Sequence, residues 1–115
     1  MFYGASSLAL AALEVLVHLP PQMRRASALP DVVAVGLDVP DAEIAVLAVD
    51  VPDAVAESRA LADNWLHSAQ GLALAVPSAI IRHERNVLLN PRHAAMARVT
   101  VMVQEPFRLD PRLFG

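Results

Sequence analysis

The stretch 8–19, Leu-Ala-Leu-Ala-Ala-Leu-Glu-Val-Leu-Val-His-Leu, decides how this chain begins to fold. Alanine and leucine are strong helix formers, either Ser6 or Ser7 can cap the helix, and two consecutive prolines end it. Because nearly every face of this helix is apolar, we expect it to be buried on most sides. Glu14 and His18 are four residues apart and therefore share one face of the helix.

Glu14 is the most informative residue of this helix. Removing an ionised carboxylate from water costs several kcal/mol, roughly, unless charges or hydrogen bonds compensate. Two interpretations follow. Glu14 is either one half of a structural pair, with His18 or Arg98 as its partner, or a catalytic or ligand-binding acid.

The rest of the chain alternates short apolar segments with turn residues. Proline and aspartate pairs punctuate the first half, and glycine or asparagine-proline the second. The pattern predicts a single α+β domain, in which one buried apolar helix packs on a sheet of short strands. The predicted strands are 31–39, 44–51, 72–76, 87–89 and 98–104, with helical segments at 53–61 and 64–69.

The composition excludes several classes of protein. The net charge of −3 argues against an autonomous nucleic-acid binder. The chain has no cysteine for disulfides or thiolate sites, and its four histidines lack metal-binding spacing, so we expect no metal. Its longest uninterrupted apolar run is too short to span a membrane, and no basic region precedes it. We therefore expect a cytoplasmic protein that binds neither membrane nor nucleic acid directly.

Several other polar residues have both a structural and a functional interpretation. Ser78 follows a proline at a predicted strand end, where it either bonds its own backbone or faces a cleft. Asn86 is either a turn residue or a ligand donor, whereas Asn90 before proline is most simply a turn. Three arginines, at positions 82, 85 and 92, form either a solvated loop or a small anion-binding edge. No nucleophile elbow, dinucleotide fingerprint or phosphate loop is present in the sequence.

Five segments together resemble the RES domain family, toxins of bacterial toxin–antitoxin modules. They occur in the family's order and extend over almost the whole chain from Tyr3. The segments are LALAALEVLVHL (8–19), NWL (64–66), LAVPSA (74–79), ERNVLLNPRH (84–93) and PFRLDPRL (106–113).

The resemblance implies both an activity and a set of site residues. Family members resemble ADP-ribosyltransferases in fold, and they consume NAD+ by splitting the nicotinamide–ribose bond through hydrolysis or phosphorolysis. Some relatives transfer ADP-ribose to a protein, and a helix-turn-helix antitoxin blocks the site. By resemblance Glu14 and Ser78 are catalytic, while Tyr3 and Asn86 bind NAD+ as the substrate.

The chain departs from the family pattern at its start. Family members carry a segment ahead of the tyrosine that supplies a signature arginine, and no arginine here precedes Arg24. We therefore expect a single RES-like domain over residues 1–115 that lacks this segment. An inactive domain that binds only an antitoxin or another copy of itself is the alternative function, and its exposed apolar surface would favour a homo-oligomer.

Overall fold

A computed structural model describes residues 2–47, 60, 63–65 and 71–114. Within these residues the chain forms helix α1 (Leu8–His18) and six strands, joined by short 3-10 turns, and residues 60 and 63–65 are also helical. The strands are β1 (Phe2–Ala5), β2 (Asp31–Asp38), β3 (Ile44–Val46), β4 (Ala73–Pro77), β5 (Arg85–Leu89) and β6 (Thr100–Arg108). The 3-10 turns are Pro21–Met23, Ala26–Ala28, Asp41–Glu43, Ala94–Arg98 and Pro111–Phe114.

Four strands form the main sheet, in the order β1-β5-β4-β3. The β1–β5 and β5–β4 pairs are antiparallel, and β3 runs parallel to β4. β4 is the central apolar strand: four of its five residues are buried, and it ends at Pro77, which supplies no donor to extend a ladder. Because β4 and β5 are antiparallel, the residues after β4 and those at the start of β5 lie at the same end of the sheet.

Helix α1 begins at a serine cap. The Ser7 hydroxyl accepts a hydrogen bond from the Leu10 amide at 3.1 Å and donates one to Glu84 Oε1 at 2.8 Å. At the other end of the helix, the Arg24 guanidinium donates to the carbonyls of Val17 and Leu19, both at 2.7 Å. These contacts satisfy terminal backbone groups and tie the start of α1 to the segment that precedes β5.

The core is made of branched aliphatic side chains on the two faces of the main sheet. One cluster joins Leu74, Val76 and Leu88 and includes the half-buried Trp65. The other joins Leu72, Ala73 and Leu89. Trp65 therefore packs against the core on this face of the sheet.

The second sheet is a two-stranded antiparallel ribbon of β2 and β6, here called the β2–β6 ribbon. Its register shifts between Gly36 and Leu37, as a β-bulge produces. A hollow of about 870 Å³ lies between this ribbon, β1 and the first half of α1. Many large apolar side chains of the ribbon are exposed: Val33, Val35, Leu37, Val101, Met102 and Val103.

The structure confirms the α+β class and corrects one detail of it. We predicted that α1 is buried on most sides, but Leu10 alone among its residues is fully buried, while Leu8, Val15 and Val17 are exposed. The physical reason is that the first half of the helix borders the hollow instead of a packed layer. The sheet of short strands is present, and the ADP-ribosyltransferase likeness of the fold remains a proposal.

The strand predictions are confirmed with shifted bounds. β5 begins two residues earlier than predicted, at Arg85, and β6 continues through Pro106 to Arg108. β1 was not predicted as a strand. Of the predicted helix 53–61 the structure describes residue 60, and of the predicted helical turn 64–69 it describes residues 64 and 65; all three are helical. The rest of both segments and the end of the predicted strand 44–51 lie outside the described residues. No helix in the described part of the chain is long and apolar enough to cross a membrane.

Candidate functional site

Four polar residues from four elements meet beside α1, and we call them the Glu14 cluster: Tyr3, Glu14, Ser78 and Asn86. The Asn86 amide nitrogen donates to Glu14 Oε1 at 2.9 Å and to the Tyr3 hydroxyl oxygen at 2.8 Å. Ser78 Oγ donates to the same Glu14 oxygen at 3.3 Å. The four residues that the sequence singled out are thus brought together.

Strand register explains why Tyr3 and Asn86 meet. Asn86 is paired with Ala5 on β1 and Val76 on β4, while Tyr3 is paired with Leu88. Side chains directly opposite one another lie on the same face of a sheet, and every second residue of a strand returns to that face. Tyr3 and Asn86 therefore share one face, and the tyrosine hydroxyl reaches back along it.

Ser78 uses its whole hydrogen-bonding capacity inside the protein. A serine hydroxyl has one donor and two acceptor positions. Ser78 Oγ accepts the backbone N–H groups of Ile80 and Ile81, both at 3.1 Å, and donates to Glu14. The side chain is buried, with 2% of the residue exposed. The turn interpretation is confirmed, because Ser78 accepts hydrogen bonds from its own turn, and its contact with Glu14 comes in addition.

Asn86 is also buried, at 2% exposed, and both hydrogens of its amide are engaged. Its carbonyl oxygen, Oδ1, is buried and has no hydrogen-bond partner among the described residues. A buried acceptor without a donor costs about 1 to 3 kcal/mol. Among the described residues, no donor offsets this cost for Asn86 Oδ1.

The two oxygens of Glu14 have different surroundings. Oε1 accepts the hydrogen bonds of Ser78 and Asn86, whereas Oε2 lies 3.7 Å from Nε2 of His18. The Glu14 side chain is 15% exposed. A carboxylate held this way is partly withdrawn from water while one oxygen stays available to a ligand.

The structure places Arg98 away from Glu14 and decides between the two predicted partners. Arg98 pairs with Glu43, so His18 is the ionic neighbour of Glu14. The predicted arginine edge is not formed, because Arg82 and Arg85 lie at the start of β5 and Arg92 lies beyond its end; all three are exposed. This favours the solvated-loop interpretation.

Other ionisable groups contribute to structure outside the cluster. Asn90 forms the expected turn, because its Oδ1 accepts the Arg92 amide at 3.1 Å. Near the C-terminus, hydrogen bonds from the Arg112 side chain and backbone lower the pKa of Asp110. In the described part of the chain, no group of three or more histidine, aspartate or glutamate residues is placed to hold a metal ion.

Sequence reasoning missed the contact between Ser7 and Glu84. The serine was expected as a helix cap, but its partner 77 residues away was not. The sequence signal was present in the ERN segment, where Glu84 lies two residues before Asn86. This contact fixes the start of α1 relative to β5. It therefore helps to set the position of Glu14 along the helix next to Asn86.

Comparison with known proteins gives a consistent match along the chain. The model of the RES domain matches residues 1–110. The protein Toxin Res of Yersinia enterocolitica is 36% identical, with 96% of this chain and 76% of the relative covered. Toxin Res of Pseudomonas putida is 35% identical, with 97% and 78% covered. A Sphingobium protein named Prs ADP-ribosylating toxin is 33% identical, with 96% and 73% covered.

Proposed function

This chain belongs to the RES domain family, and we propose that it is a toxin domain that consumes NAD+ by cleaving the bond between nicotinamide and ribose. The observation that carries the proposal is the hydrogen-bonded placement of Glu14. Two neutral donors, from Ser78 and Asn86, hold one oxygen of a largely buried carboxylate. The name of the Sphingobium relative, an ADP-ribosylating toxin, supports NAD+ as the substrate.

The proposed reaction places positive charge where Glu14 can stabilise it. When the bond between ribose C1 and the nicotinamide nitrogen breaks, both bonding electrons leave with nicotinamide, and the sugar becomes oxocarbenium-like. A preorganised carboxylate stabilises such developing charge without first having to reorient. Water or phosphate then bonds to C1 and loses a proton, which gives ADP-ribose or its phosphate ester.

Ser78 and Asn86 then have distinct roles. Because every hydrogen-bonding position of Ser78 is filled, we propose that it positions Glu14 and does not attack the substrate itself. Asn86 positions the same oxygen of Glu14 and also donates to the Tyr3 hydroxyl, so it links the carboxylate to the ring that would meet nicotinamide. Tyr3, which is exposed on β1, would stack its ring on nicotinamide.

The main test is the release of nicotinamide from NAD+ by the purified protein, with and without phosphate. Glu14→Gln keeps the shape of the side chain and removes its charge, so we expect release to fall by about 100-fold or more. Glu105→Gln makes the same chemical change on exposed β6 and should keep the parent rate. Equal rates for the parent and Glu14→Gln would refute the assignment of Glu14.

One alternative is a domain that binds an antitoxin or another copy of itself without catalysis. NAD+ carries two negative charges on its diphosphate, and three arginines of this chain are already engaged: Arg24 at a helix end, Arg98 on Glu43 and Arg112 on Asp110. No nicotinamide release by the unmutated protein, at high concentration and with either acceptor, would decide for this alternative.

A helix-turn-helix antitoxin is the partner that we propose under both functions. The names of the Yersinia and Pseudomonas relatives identify them as toxins, which supports a neutralising partner for this chain. Co-expression with the product of a neighbouring helix-turn-helix gene should yield a complex that releases no nicotinamide. If the two proteins separate on size exclusion, this partner is wrong.

A further inference from the structure

We infer that His18 is a positioning residue for Glu14, and that its charge controls the outer oxygen of that carboxylate. The inference deepens the proposed function and rests on it. It starts from the asymmetry of Glu14. Oε1 accepts two hydrogen bonds from the interior, whereas among the described residues His18 is the one ionic neighbour of Oε2.

The geometry places His18 on the solvent-exposed side of Glu14. It follows Glu14 by one turn of α1, on the same helix face, and its side chain is 75% exposed. The 3.7 Å separation of Nε2 and Oε2 is too long for a hydrogen bond and short enough for an ion pair when the imidazole is protonated. A small rotation of the exposed imidazole would close it.

The charged and titratable groups on the neighbouring elements have other partners among the described residues. Tyr3 on β1 reaches the cluster through Asn86, Glu84 before β5 is engaged by Ser7, and Arg24 after α1 donates to the carbonyls on either side of His18. Tyrosine and arginine ordinarily keep one charge state between pH 5.5 and 8.5, whereas histidine changes its charge in this range.

Protonation of His18 opposes the proposed chemistry. An imidazolium beside Oε2 pairs with the oxygen that is available to the substrate, and it adds positive charge where the sugar itself becomes positive. The neutral imidazole leaves the full carboxylate charge facing the ribose. Cleavage should therefore slow as His18 gains its proton at low pH and recover as it loses the proton.

The kinetic test compares pH profiles of nicotinamide release at saturating NAD+ for the parent, His18→Gln and His83→Gln. His83 is an exposed histidine on the turn between β4 and β5 and serves as the matched control. Because His18 is mostly exposed, we expect the parent rate to fall about two- to fivefold more than that of His18→Gln between pH 8 and pH 5.5. His83→Gln should follow the parent. Superimposed profiles of the parent and His18→Gln would overturn the inference.

A second measurement separates this inference from the proposed function, because it needs no activity. The imidazole resonances of His18 are followed by NMR in the parent and in Glu14→Gln. We expect them to differ between the two proteins at pH 5.5 and to converge at pH 8.5. If the His18 chemical shifts are the same in the parent and in Glu14→Gln at both pH values, the pairing is overturned, even if the enzyme is active. A parent protein that shows the pairing but releases no nicotinamide would contradict the proposed function alone.

Discussion

The Glu14 cluster and the β2–β6 ribbon are built in opposite ways. The cluster joins four polar side chains from separate parts of the chain by hydrogen bonds, and two of them, Ser78 and Asn86, are each 2% exposed. The ribbon displays apolar side chains to solvent, with Met102 at 70% exposed, and faces the hollow of about 870 Å³. Globular proteins usually bury apolar side chains and expose polar ones. The Glu14 cluster buries polar groups and the β2–β6 ribbon exposes apolar ones, so both depart from this preference.

The difference indicates which region contributes more to the stability of the fold. A buried polar group is tolerated only when its hydrogen bonds are made inside, and the Glu14 cluster meets that condition except at Asn86 Oδ1. An exposed valine costs little, so the ribbon constrains the fold weakly. The main sheet and the cluster should therefore respond strongly to mutation, and the ribbon weakly.

The largest expected effect is on stability. Leu72→Ala removes a fully buried side chain from the core of the main sheet, so the free energy of unfolding should fall by about 2 to 5 kcal/mol. Val101→Ala is the matched change on the exposed ribbon and should cost less than about 0.5 kcal/mol. Urea denaturation measures both. Equal losses would mean that the ribbon is packed in solution against something else.

The next effect is on activity. Asn86→Leu keeps the volume of the side chain and removes the donor to Glu14 Oε1, so nicotinamide release should fall about 10- to 100-fold, as for loss of a hydrogen bond to a charged group. The control is Asn90→Ala, a change of the buried asparagine just beyond the other end of β5, which should weaken the turn and leave release unchanged. Parent-like activity of Asn86→Leu would remove Asn86 from the site.

Ser78→Ala should have a smaller effect on activity. Its hydrogen bond to Glu14 is long, at 3.3 Å, so we expect about a tenfold loss of nicotinamide release. The orphaned amides of Ile80 and Ile81 should add a loss of stability, visible in the thermal midpoint. If Ser78→Ala were as inactive as Glu14→Gln, Ser78 would act directly on the substrate, and our account of its filled hydrogen bonds would be wrong.

The smallest effect concerns Asp110, outside both regions. Its pKa is lowered by Arg112, so this pair stabilises the protein at pH values above the ordinary range of an aspartate and loses that contribution as the pH falls through the lowered pKa. Arg112→Ala should return the pKa of Asp110 toward its usual value. An NMR titration of the carboxyl carbon measures this change, and an unaltered titration would show that the pair does not form in solution.

The sequence predicted those parts of the fold that depend on local pattern. The cap at Ser7, the end of α1 before two prolines, β2 and the end of β4 at Pro77 all follow from residue type and spacing. The start of β5 did not, because Arg85 and Asn86 look like turn residues. Asn86 lies in the strand because both hydrogens of its amide are engaged inside the Glu14 cluster and not by solvent.

The family resemblance identified the site residues, whereas their contacts with one another could be found only from the three-dimensional structure. Residue spacing offered Glu14 two ionic partners, and it could not show that Arg98 is taken by Glu43. The hydrophobic pattern of α1 also led us to overestimate its burial. Such a pattern shows which residues favour a core, but it does not show whether another element packs against them.

The assembly of the Glu14 cluster from distant parts of the chain has a consequence for newly synthesised protein. Tyr3 and Glu14 leave the ribosome early, whereas Ser78 and Asn86 follow more than sixty residues later. Until β4 and β5 have emerged and paired, the acid has no donors to orient it. A polypeptide that ends before β5 should therefore lack the oriented carboxylate on which the proposed activity depends.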